Sequence, residues 1–146
     1  ARSRGLGDVY KRQDLGFEYD SSLHPSPMPG RYSGKGKLVP HVDRESGLKV
    51  VPISVVPGLR LPLSWIWFRM LPKGYMRWGA SLVEANFDYL CLYFHPWDFV
   101  DLSRYKASLP AGFTVGGKSA INDMEDFLKW GLDKGWNSMT IKDYLS

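Results

Sequence analysis

Tyr89-Leu90-Cys91-Leu92-Tyr93-Phe94 is an unbroken apolar run closed by His95-Pro96. The run is too short for a helix and has no polar face, which fits a strand buried on both sides in a parallel sheet. Proline holds the residue before it in extended geometry, so the strand stops there. A strand of this kind needs helices to cover it, and the flanking sequence supplies them. After Pro72, the residues Met76, Ala80, Val83 and Phe87 recur at spacings of four, three and four, which predicts a helix of about fourteen residues with one apolar face. Asn122 followed by Glu125 resembles a capping box, with Met124, Phe127, Leu128 and Leu132 as the apolar face and Gly135 as the stop. Leu48–Val56 is β-branched and reads as a strand, with Pro52 arguing for an edge or a bulge. Trp136–Met139 reads as a short strand, and Thr140 as the cap of a last turn toward Tyr144. The order strand, helix, strand, helix, strand, helix predicts an α/β fold with a parallel sheet or barrel. Before these elements, Asp14–His41 is rich in Gly, Pro and Ser and reads as a long loop after a short element at Leu15–Tyr19.

The chain has 146 residues, 44% hydrophobic and 23% charged, a composition that suits one folded unit and excludes intrinsic disorder, collagen and coiled coil. Its formal charge of +4 would suggest a polyanionic partner. The charge is concentrated in Ala1–Gln13, which has no periodic apolar face. Ser3–Gln13 resembles the translation of a transposase-type sequencing adaptor, so residues 1–13 are expected to lie outside the fold. The remaining residues, 14–146, hold 15 cations and 14 anions, which removes the case for a nucleic-acid partner. Leu59–Leu71, interrupted by Arg60, Pro62 and Arg69, is too short to span a bilayer. Cys91 is the single cysteine, cannot close an intramolecular disulfide, and reads as a small buried hydrophobe.

Functional side chains in parallel sheets collect at the carboxyl ends of strands. His95 stands at that position, with Tyr93, Trp97 and Asp98 beside it. It is either a catalytic imidazole or a strand-end histidine bonded to backbone. Leu92-Tyr93-Phe94-His95-Pro96-Trp97-Asp98 resembles the last motif of the polysaccharide deacetylases with a NodB-homology domain, a Leu-x-x-His within an aromatic run. Gly16–Ser22 is similar to the segment after that family's third motif, Val51-Pro52-Ile53-Ser54 to its following strand, and Arg60–Pro62 through Phe68–Leu71 to the connection before the next helix. The resemblance covers Asp14 to the carboxyl terminus. It implies the C-terminal part of a (β/α) deacetylase barrel with alternating parallel strands and helices.

The activity implied is hydrolysis of N-acetyl groups on amino sugars of a glycan, a reaction at a carbon–nitrogen bond other than a peptide. In the family a divalent cation, commonly zinc, is held by an Asp and two His and polarises the amide carbonyl and a bound water. The histidine matching His95 protonates the departing amine. The leucine matching Leu92 lines the pocket for the acetyl methyl group; as a residue of this sequence it reads equally as core. Arg69 either contacts substrate or makes a structural ion pair or cation–π contact. Trp65, Trp67 and Trp97 either stack on sugar rings or belong to the core.

The family's Asp-Asp, His-x-x-x-His and Arg-containing motifs have no counterpart in this sequence. His24 and His41 do not have the spacing of two ligands one helical turn apart and read as solvated loop histidines, and Asp20 as a turn residue. No metal ligand is therefore expected here. The chain reads as the general-acid side of a deacetylase whose metal side lies upstream, inactive alone, with any export signal also upstream. An N-acetylated polysaccharide or oligosaccharide is the expected partner. The other reading is a noncatalytic carbohydrate-binding module using exposed tryptophans.

Overall fold

The computed structural model describes residues 15–27, 34, 36–44, 46–64, 67–68, 71–108 and 116–146, with the backbone alone at 97 and 106–108. The described residues group into two compact units: one runs to Leu63 and includes Gly79–Leu92, and the other comprises Ser64–Trp78 with Tyr93–Ser146.

Three two-residue strands order the first unit: β1 (Tyr19–Asp20), β2 (His41–Val42) and β3 (Lys49–Val50). Their order is β1-β3-β2, with β1 parallel to β3 (Tyr19 opposite Lys49) and β2 antiparallel to it (His41 opposite Val50). The sheet is therefore mixed. The all-parallel barrel strands implied by the resemblance do not occur among the described residues. Asp43 closes the β2–β3 turn by accepting from the Ser46 N–H at 2.9 Å and the Ser46 hydroxyl at 2.8 Å. Replacing Asp43 by Ala strands both donors, which belong to the buried Ser46. The expected cost is about 1–3 kcal/mol, read as a lower urea midpoint.

The expected strand Leu48–Val56 is recognisable but its ladder is interrupted. Pro52 has no N–H to give, and the backbone on either side changes partner: Val51 donates to the Asp20 carbonyl, Ile53 to Leu23 and Ser54 to Cys91, each at 2.8 Å. The segment is nonetheless the core of its unit, with Val51, Val55 and Val56 at 2%, 2% and 0% exposure. Tyr89–Phe94 forms no strand. Buried Ser54 explains this locally, because its hydroxyl accepts the Cys91 N–H at 2.9 Å, taking the donor that a ladder carbonyl would take. Tyr89 is tied down separately, its hydroxyl donating to the Leu38 carbonyl at 2.6 Å.

Helix α1 (Gly74–Glu84) buries Met76, Ala80 and Val83 at 2%, 1% and 1% exposure, the stripe predicted from spacing. It ends before Phe87, whose N–H still reaches the Val83 carbonyl at 2.8 Å. Helix α2 (Lys118–Asp133) begins four residues before the predicted Asn122 cap, after Gly117 at φ 77°. Glu125 is not a capping residue there; it pairs with Lys129 at 2.6 Å, one turn on. Phe127 is the buried member of the predicted face, whereas Leu128 and Leu132 are exposed.

The C-terminus of α2 closes as a Schellman turn. Gly135 at φ 87° donates to the Leu132 carbonyl and Trp136 to the Gly131 carbonyl, at 2.9 and 3.0 Å. Gly131 is required: a Cβ there would lie 2.3 Å from the Trp136 ring. Trp136 is thereby committed to the helix end, and the strand expected at Trp136–Met139 does not form. Thr140 caps α3 (Ile141–Tyr144) as expected, accepting from the Asp143 N–H at 3.1 Å. Among the described residues, no helix is long and apolar enough to cross a membrane.

Candidate functional site

The sequence His95-Pro96-Trp97-Asp98 is a helix start in miniature. Proline suits the first helical position because its missing N–H would be unsatisfied there anyway, and an acid two residues later can reach back to the capping residue. The chain forms a 3₁₀ turn over Pro96–Phe99. The Asp98 carboxylate accepts the His95 backbone N–H at 2.6 Å, and the Asp98 N–H donates to the His95 carbonyl at 2.9 Å. Asp98 is only 2% exposed, so the His95 backbone is fixed by a buried carboxylate.

The His95 side chain is exposed. Tyr93 approaches it edge-on, with ring centroids 5.5 Å apart at 71°. Phe94 points elsewhere, into edge contact with Phe68 at 6.5 Å and tilted contact with Phe99 at 6.2 Å. Two anchors, Phe94 and Asp98, thus flank one accessible imidazole. Replacing Asp98 by Ala removes the acceptor for the His95 N–H. The expected result is faster hydrogen exchange at the His95 amide and a loss of about 1–3 kcal/mol of stability.

The other residues singled out from the sequence fall as follows. Leu92 is half-buried and is the last residue of the first unit. Trp97 lies in the 3₁₀ turn, but its side chain is outside the described set, as are Arg69 and Trp65 altogether. Trp67 is half-buried. Asp98 was not singled out for this role, although a Pro followed by an acid at the second position beyond it carries the signal.

Neither remaining histidine is a solvated loop residue. His41 lies in β2, and its Nδ1–H donates to the Val39 carbonyl at 2.9 Å. His24 is half-buried, and burial pushes its pKa below the usual value of 6.5. An unfolded chain takes up this proton near pH 6.5 whereas the folded chain resists it. The His24 contribution to stability is therefore complete above that pH and falls as pH drops below it. Urea midpoints at pH 7.5 and 5 should fall for the native chain, and fall less for His24→Asn. Asp20 forms the expected turn, accepting from the Ser22 N–H at 2.9 Å. Cys91 lies 3.6 Å from the Ser21 hydroxyl, and burial pushes its thiol upward, away from the reactive thiolate.

Among the described residues, no three His, Cys, Asp or Glu side chains converge as a metal site. The donor set needed for a deacetylase cation is not assembled by them.

The fold and site define a small mixed α/β protein that presents one exposed histidine on a carboxylate-capped turn. Residues 21–140 match the family described as "Domain of unknown function (DUF3473)", and the chain belongs to that family. No curated protein and no solved structure matches the chain.

Proposed function

We propose that this chain carries the general-acid side of a glycan N-deacetylase, with His95 as the catalytic acid and the water-activating side supplied by residues outside the chain. The observation that carries the reading is the pairing at His95 of an accessible imidazole with a backbone held by the buried Asp98. General acids act only when placed to within hydrogen-bond reach of the atom they protonate, and a fixed backbone limits where the ring can go. The block resembling the deacetylase motif, Leu92–Asp98, lies inside the family match.

The reaction adds water across an amide. Water gives up a proton to the water-activating side as its oxygen bonds to the acetyl carbon, and the carbon–nitrogen bond then breaks to separate acetate from the amine. The departing amine nitrogen takes a proton that the protonated His95 ring donates. Leu92 would border the acetyl methyl group, while Trp97 and Arg69 would contact the sugar.

The test is amine release from an N-acetylated chito-oligosaccharide by a longer protein that contains these residues, supplied with zinc. Stoichiometric amine and acetate support the reading. Quenching of tryptophan fluorescence by the oligosaccharide with no amine released would overturn it in favour of a noncatalytic carbohydrate-binding module.

A further inference from the structure

A cavity of about 180 Å³ lies between the first turns of α1 and the middle of α2, within the second unit and with no contribution from His95. Its lining is Phe68, Lys73, Gly74, Arg77, Asp123, Asp126 and Phe127. We propose that this cavity is a subsite for one uncharged pyranose residue of a glycan, a ligand class that rests on the glycan reading above.

The chemistry of the lining selects the ligand. Two cations and two carboxylates leave the rim neutral in sum, so a phosphate or a metal ion would meet its own sign on half of it. A pyranose has an apolar C–H face and a rim of hydroxyls, each both donor and acceptor. It therefore needs an aromatic surface beneath and both donor-only and acceptor-only groups around it. Phe68 provides the surface. It is half-buried, and its ring is held by edge contacts with Phe94 and Phe127 at 6.5 and 6.3 Å.

Arg77 provides donors at a fixed place. Its guanidinium sits 5.8 Å over the Trp130 ring and gives one N–H to the Asp126 carbonyl at 3.3 Å, leaving further donors of the fork for hydroxyls. The exposed Asp126 carboxylate provides the acceptor. Asp123 is already engaged by Lys73 at 2.6 Å, which gives the cavity a closed edge. Gly74 lies on the rim, with nothing within 4 Å of where its Cβ would stand. The volume is below the roughly 300–1,000 Å³ of pockets for drug-sized ligands, which suits one ring.

The test is an amide NMR titration of the 146-residue chain with the trisaccharide of N-acetylglucosamine. Saturable shifts centred on Gly74, Arg77, Asp126 and Phe127 are expected. Asp126→Ala, an exposed change in a helix interior, should weaken binding about tenfold with an unchanged urea midpoint. Arg77→Lys keeps the charge, loses the fork and should also weaken it. Shifts elsewhere, no saturation, or native affinity in both variants would overturn the proposal. Turnover by a longer protein that contains these residues, without these shifts, would sink the subsite and leave the deacetylase reading standing; these shifts without turnover would do the reverse.

Discussion

Replacing His95 by Gln in a longer protein that contains these residues is expected to lower kcat for an N-acetylated oligosaccharide by about 10²–10⁴-fold, the usual contribution of a positioned proton donor. KM should change little, because the proton is transferred in the transition state and the ground-state contacts to the sugar come from other residues. The effect is separable from damage to the fold. The His95 ring is exposed, and the bonds that hold its segment, from its own N–H to Asp98 and from Asp98 to its carbonyl, belong to the backbone of residue 95 and survive the substitution. A native urea midpoint with lost turnover is therefore the expected pattern.

The largest expected effect on stability lies in the first unit. Leu63 and Val56 are both 0% exposed, and the backbone of α1 comes close enough at Gly79 that a Cβ would lie 2.3 Å from Leu63 Cδ2 and 3.2 Å from Val56 Cγ2. Leu63→Ala should cost about 2–5 kcal/mol through lost transfer energy and the cavity left behind. Gly79→Ala should cost about 1–3 kcal/mol through overpacking, reduced by the roughly 1 kcal/mol that alanine gains over glycine in a helix. The pair should not add. The methyl at 79 would enter the space vacated by Leu63, so the double variant should be more stable than the sum of the single effects by about 0.5–3 kcal/mol. Urea unfolding of the four proteins measures the coupling, and strict additivity would contradict the close approach.

The parts of the fold that were legible in the sequence depend on neighbours along the chain. The Met76, Ala80 and Val83 stripe follows from helical spacing alone. Gly135 and Thr140 mark a helix end and a helix start through conformation and side-chain reach within a turn. The errors arise where the partner that a group takes cannot be read from spacing or composition. Asn122 and Glu125 have the spacing of a cap, but the helix starts at Lys118, and Glu125 pairs with Lys129 instead. Tyr89–Phe94 has the composition of a buried strand, but the hydroxyl of Ser54, 37 residues away in sequence, takes the Cys91 N–H. Trp136 was assigned to a strand because its fit over Gly131 cannot be read from composition.

The candidate site divides in the same way. His95 at the end of an apolar run is visible as a position, whereas Asp98, read from the sequence only as a neighbour of His95, is its cap. The cavity is not visible in the sequence, because Arg77 comes from α1 and Lys73 from the residue before it, whereas Asp123 and Asp126 come from α2.

The central claim is that His95 delivers a proton to a departing amine, and leaving-group dependence tests it most directly. An alkylamine must be protonated to leave, whereas a nitroaniline is weakly basic enough to depart without help. Turnover of N-acetylglucosamine oligomers and of an acetylated nitroanilide would be compared between the native protein and His95→Gln. A loss of about 10²–10⁴-fold on the sugar and of less than about tenfold on the anilide is the result expected of a general acid. Equal losses on the two substrates would contradict it.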